Sequence, residues 1–232
     1  MKEFILNFKK ERLKHCYMFL YPVFYMLCFI FLEQNVEPIY IIHFPLDNYI
    51  PFCEYFIIPY FTWFAYVAVT VAVYYIFLAI GDFYRLTSYL FTGMTIFLLV
   101  SLFIPNGLDL RPTTFERDNI FVSMVKTLYK TDTPTNVFPS IHVYNSICVH
   151  IALCKNDVVK KHRPVIYGSF VLMILIILST VFLKQHSTLD VASGILLASL
   201  LYPVFYVHNC IPYRKEFPLA LNNSGDAIKK PA

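Results

Sequence analysis

The chain has 232 residues, of which 58% are hydrophobic, 18% aromatic and only 15% charged; soluble domains carry charge nearer a quarter. That balance excludes an ordinary soluble domain and identifies an integral membrane protein. The net charge of +4 is accounted for by basic residues flanking apolar runs, not by a nucleic-acid surface, and the six cysteines, at 16, 28, 53, 148, 154 and 210, lack the paired spacing of a disulfide framework or a zinc site.

The first segment, Met1 to His15, sets Phe4, Ile5 and Phe8 among lysines. It fits either an interfacial helix on an anionic leaflet or a solvated basic tail that fixes topology, and it lacks the small-residue cleavage site of a secretory signal. Stretches free of Asp, Glu, Lys and Arg then run over 16–32, 55–81, 86–108, 133–154, 164–183 and 191–213. About 20 apolar residues cross a bilayer as a helix that satisfies its own backbone, so the predicted fold is all-α: a polytopic bundle of six transmembrane helices over residues 16–213. With the N-terminus cytoplasmic, 14 of the basic residues fall on that side and 5 on the other, namely Arg111, Arg117, Lys126, Lys130 and Lys184. The bias places both termini in the cytoplasm of a cell membrane protein, and the candidate residues below on the extracytoplasmic side.

Residues 34–54 are too short and Pro-interrupted to cross, and are expected along the outer interface. The third run ends in Pro105-Asn-Gly-Leu-Asp-Leu-Arg-Pro112 and opens a polar loop in which Ile120, Phe121, Met124, Val125 and Leu128 recur at helical spacing. This predicts a short amphipathic helix on the membrane surface, acting as a lid, as a grip for a lipid tail, or simply packed over the bundle. Residues 214–232 read as a disordered cytoplasmic tail, where the Asn222 sequon escapes glycosylation. His150, alone at mid-span, reads as a histidine of the bundle interior.

Chemistry concentrates at the mouths of two runs. His186 and Asp190, four residues apart, share one helical face, and ionisable groups at a membrane edge point to function. A carboxylate holding one imidazole nitrogen leaves the other as nucleophile or base. In the second mouth, Asn136-Val-Phe-Pro-Ser-Ile-His-Val-Tyr-Asn-Ser146, Ser140 stands at a helix start that Pro139 suits for the first turn, where N–H groups make an anion site. His142 is placed to protonate a leaving group. Arg111 offers a fork for phosphate oxygens or a snorkelling contact with headgroups. His142, His186 and Asp190 would give a metal only three mixed ligands, so acid-base work is the expectation and no metal is expected.

The stretch FPSIHVYNS resembles the PSxH motif of the type 2 phosphatidic acid phosphatase superfamily, and Ser179, His186 and Asp190 resemble its S-R-xxxxx-H-xxx-D motif. Arg111-Pro112 resembles the end of a first motif, K-xxxxxx-RP. The resemblance implies that His186 attacks phosphorus to form a phosphohistidine, Asp190 orients it, and His142 acts as general acid. It further implies that Ser140, Arg111 and Ser179 hold the phosphate, without cofactor or metal. Two cations of the pattern are absent: Ile104 stands at the lysine and Thr180 at the arginine. Lys184, two residues before His186, is the nearest replacement, with Lys126 and Lys130 within reach from the loop. The wording FPSIHV and QHSTLDV is similar to the lipid phosphotransferase branch, which includes sphingomyelin and inositol phosphorylceramide synthases. The expected activity is therefore hydrolysis of a membrane lipid phosphate monoester or diphosphate. The alternatives are transfer of a phospho-headgroup to a lipid hydroxyl, and a non-catalytic lipid-phosphate-binding protein or transporter.

Overall fold

The structure, a computed structural model, describes residues 12–208. Seven α-helices account for most of it: α1 (Leu20–Asn35), α2 (Ile57–Phe77), α3 (Ile80–Phe103), α4 (Ile120–Thr131), α5 (Ile141–Lys155), α6 (Arg163–Phe182) and α7 (Thr188–Tyr202). One-turn 3-10 segments lead into α1 and α2, and a π turn over Pro203–Val207 extends α7. β pairing among the described residues is limited to a two-residue parallel contact of β1 (Tyr40–Ile41) with β2 (Asn106–Gly107) and a single antiparallel bridge between Gly107 and Thr135. The predicted tail 214–232 and all but residues 12–15 of the predicted interfacial segment lie outside the described residues.

Among the described residues, five segments are long and apolar enough to cross a membrane: Cys16–Asn35, Glu54–Phe77, Ile80–Phe103, Arg163–Phe182 and Thr188–Val207. The remaining predicted span, 133–154, differs: its helix begins only at Ile141 and has 15 residues, roughly 22 Å. A run without charges is not yet a helix, since residues 133–140 form a polar loop and Ser140 caps α5. Pro139 accordingly precedes the cap and does not occupy the first turn. α5 can be short because it is the bundle's centre, packed against α2, α3, α6 and α7. Charge-free counting also sets helix starts too late, because Asp82, Arg85 and Asp190 sit inside the opening turns of α3 and α7.

Close approach in the centre depends on two glycines. A Cβ on Gly93 would fall 2.1 Å from the Tyr144 ring, whose hydroxyl donates to the Tyr89 carbonyl. A Cβ on Gly194 would fall 2.8 Å from the Ser140 carbonyl oxygen, so α7 can cross α5 beside its first turn only with glycine there. Outward, α1 presents Leu20, Val23, Phe24 and Leu27, all exposed, as hydrocarbon solvent requires.

The two ends of the bundle are distinct. At one, Arg12 donates to the Tyr75 and Leu78 carbonyls at 2.6 Å each, Asn156 Nδ2 donates to Asp82 Oδ2 at 2.9 Å, and Arg85 lies 5.7 Å over the Tyr206 ring. Both ends of the described chain therefore gather there. At the other, α4 lies across the bundle as the spacing predicts, packing Val125 and Leu128 on Ile57, Tyr60 and Leu183. Asn119 caps α4, accepting from Val122 N at 2.9 Å and donating to buried Glu54 at 3.0 Å, and Arg117 meets the same carboxylate at 3.1 Å.

Candidate active site

The site is assembled by the caps of two helices. Ser187 Oγ accepts from Leu189 N at 3.1 Å, and Asp190 Oδ2 accepts from Ser187 N at 2.8 Å, a reciprocal box that turns the Asp190 carboxylate back toward the preceding turn. His186 occupies that turn, with Nδ1 3.5 Å from Asp190 Oδ2, a contact longer than an ordinary hydrogen bond. On α5, Ser140 Oγ accepts from Val143 N at 3.5 Å, while Ser140 N donates to the Asp190 carbonyl at 3.3 Å. The two helix starts are thereby tied together. His142, in the first turn of α5, brings Nδ1 to 3.3 Å from His186 Nε2, and its ring lies 4.7 Å from Tyr60 and 4.4 Å from Trp63, centroid to centroid. Four of the seven predicted residues, Ser140, His142, His186 and Asp190, thus meet, with the two imidazoles held edge to edge.

The other three are placed differently. Arg111 stacks 4.6 Å from the Tyr129 ring centroid, donates through Nη1 to the Asp132 and Tyr129 carbonyls at 2.7 and 3.3 Å, and through Nη2 to Gln185 Oε1 at 2.6 Å. Its burial lowers its pKa, an effect opposed by the charge of Asp132. Lys184 does not turn toward the histidines: Nζ donates to the Asp47 and Ile50 carbonyls at 2.8 and 2.6 Å. Its backbone is left-handed, φ 53°, and burial lowers its pKa. Ser179 is fully buried and donates to the Ile176 carbonyl at 2.6 Å inside α6. Thr180, at the arginine position, likewise bonds within its helix, to Ile177, and its carbonyl accepts from Gln185 N and His186 N at 2.9 and 3.0 Å.

Beside the histidines opens a cavity of about 310 Å³. Its polar end holds His142, His186, Gln185 and Asp132; its apolar end is built from Tyr25 and Phe29 of α1, Phe61 and Trp63 of α2, and Phe97 of α3. Neither lysine nor arginine lines it among the described residues. Asp132 is the unexpected member: Tyr60 donates to its Oδ2 at 3.4 Å, and burial raises its pKa against the lowering pull of Arg111 and His186. No cluster of three or more His, Cys, Asp or Glu side chains forms a metal-ligand set among the described residues.

Sequence reasoning passed over the residues that hold this site. Asp47, 2% exposed, lies in the loop expected along the interface, yet its carboxylate accepts from Ser187 Oγ, Thr188 N and Thr188 Oγ at 2.5, 2.7 and 2.8 Å. Asn106 Oδ1 accepts from Val137 N and Phe138 N at 2.9 Å each, fixing the chain before Ser140. Asp47 is one of three acidic residues of the segment 34–54, with Glu37 and Glu54, but no local pattern tied it to a turn 140 residues away.

A family model, the PAP2 superfamily, matches residues 85–214, a stretch that holds Arg111, Ser140, His142, Ser179, Lys184, His186 and Asp190. No curated protein and no solved structure matches the chain.

Proposed function

The chain belongs to the PAP2 superfamily, a family of phosphatase-type membrane enzymes, and from that premise we propose that it hydrolyses a lipid phosphate monoester or diphosphate through a phosphohistidine on His186. The observation that carries the reading is the convergence of His186 Nε2 and His142 Nδ1 at 3.3 Å, with Asp190 behind His186, at the polar end of an otherwise apolar cavity. In the first step Nε2 of His186 forms a bond to phosphorus as the bond from phosphorus to the lipid oxygen breaks, and His142 gives that oxygen its proton. A bound phosphoryl group takes the place of the direct contact between the rings. In the second step a water gives its proton to His142 and attacks phosphorus, releasing phosphate and restoring the imidazole. Asp190 keeps Nδ1 of His186 facing a carboxylate and offsets the positive charge of the phosphorylated ring. The amino-terminal end of α5 faces the developing negative charge.

The aromatic end of the cavity seats the lipid chain and opens between helices. On the charge bias of the loops the site is extracytoplasmic and both termini are cytoplasmic; the described basic residues Arg12, Arg85, Lys155 and Arg163 all belong to the opposite end. A second reading, transfer of the phospho-headgroup to a lipid hydroxyl, draws support from the same apolar lining, which admits a second lipid as readily as water.

The test is phosphate release by purified protein in detergent, with EDTA, from a panel of lipid phosphates, with and without a lipid alcohol, for wild type and His186→Ala. Hydrolysis predicts chelator-insensitive release that disappears in the variant. Product formed only when the lipid alcohol is added would establish transfer instead, and no product under either condition would overturn both.

A further inference from the structure

The two cations absent from the family pattern leave open what grips the phosphoryl group, because none of the remaining candidate cations reaches the cavity: Arg111, Lys126 and Lys130 are not among its lining residues, and the Lys184 ammonium is committed to the Asp47 and Ile50 carbonyls. Between Arg111 and the cavity stands Gln185, 2% exposed, which does line it. A guanidinium carries donors only, so the contact of Arg111 Nη2 with this side chain at 2.6 Å must be made by the amide oxygen. That bond determines the orientation of the amide and turns Nε2 the other way, where it has no hydrogen-bond partner. A buried donor without an acceptor is costly, and it marks a place where an acceptor belongs. The position is rigid: Gln185 N donates to the Thr180 carbonyl at 2.9 Å, and the preceding Lys184 is pinned in its left-handed conformation by its own two bonds.

We infer that Gln185 is a phosphoryl-binding residue of this enzyme, its Nε2 donating to a non-bridging oxygen of the group transferred to the adjacent His186, and that Arg111 acts through it as the positioning residue that orients and polarises the amide. The inference rests on the reading of the preceding section. It also accounts for two side chains at once: the arginine position of the pattern is vacant at Thr180, and a polarised amide next to the nucleophile supplies a donor in its place.

The test compares Gln185→Glu and Gln185→Met with wild type, read by kcat/KM for the lipid phosphate found above and by inhibition with inorganic vanadate, a mimic of the transferring group. Gln185→Glu keeps an acceptor for Arg111 and replaces the donor with a carboxylate oxygen, whose negative charge also repels the phosphoryl oxygens. It is expected to lower kcat/KM by about 30-fold or more and to weaken vanadate inhibition by at least about tenfold, with the defect shrinking as pH falls and the introduced carboxyl regains a proton to donate. Gln185→Met is expected to show a similar loss that does not recover at low pH. If Gln185 merely holds Arg111 in place, Gln185→Glu retains activity and vanadate inhibition within about threefold while Gln185→Met loses both, and the inference fails. Should wild type turn over no lipid phosphate, the hydrolase reading fails on its own, and vanadate binding to wild type against Gln185→Met, followed by a thermal-shift assay, decides the role of Gln185.

Discussion

Asp190→Asn is expected to reduce lipid phosphate turnover by about 10³-fold while leaving the fold in place. The amide oxygen can remain where Oδ2 now is, accepting from Ser187 N and facing His186 Nδ1, so geometry and cap are retained. What is lost is the negative charge. In the proposed mechanism that charge offsets the positive imidazole ring formed when Nε2 bonds to phosphorus, and inside a buried site it is screened far less than it would be in water. Because the cap survives, the loss of stability should stay within about 1 kcal/mol. Single-turnover rates and thermal melts of the same preparation check both halves of the statement. A turnover loss under tenfold would reduce Asp190 to a helix cap.

Asp47→Ala is expected to produce the largest loss of stability outside the core. Its carboxylate accepts from Ser187 Oγ, Thr188 N, Thr188 Oγ and, at 2.8 Å, Phe44 N, while its carbonyl takes the Lys184 ammonium at 2.8 Å. Alanine strands the side-chain and backbone donors at the start of α7 in a buried place, a loss of roughly 3 kcal/mol, or about 10 °C in Tm for a domain of this size. Turnover should fall with it, since the turn that loosens carries Gln185 and His186. The pH dependence carries a sign. Burial raises the Asp47 pKa, but the bonds from Ser187, Thr188 and Phe44 outweigh it and hold the carboxyl below its ordinary value. A depressed carboxyl contributes stability above the unfolded pKa of about 3.9 and loses it as pH falls through the folded value. Wild type should therefore lose Tm between pH 5 and the lower limit of its folded state more steeply than Asp47→Ala, as scanning calorimetry across that range will read.

The bundle was legible because each long helix is its own apolar run, and the four residues that meet were legible because each pair lies within one local motif: Ser140 and His142 at one helix start, His186 and Asp190 at another. Distant side chains were not. Lys184 was a reasonable substitute for a missing cation by spacing alone, yet a left-handed residue redirects its side chain to the Asp47 loop. Asp132 and Gln185 enter the cavity through a loop and a turn, where no periodicity says which way a side chain faces. The shortness of α5 was hidden for a related reason. Charge-free sequence marks what can lie in the membrane, whereas the serine cap and the polar loop held by Asn106 decide where the helix begins.

The central claim is that His186 becomes phosphorylated, and rapid-quench labelling tests it most directly. Protein is mixed with a lipid phosphate radiolabelled in its phosphoryl group, quenched in alkali within a single turnover, and the labelled residue identified, for wild type, His142→Ala and His186→Ala. The account predicts a label on His186 that is stable to alkali and lost in acid, and neither label nor product from His186→Ala. Phosphate release by His186→Ala at the wild-type rate, or a label on any other residue, would contradict it.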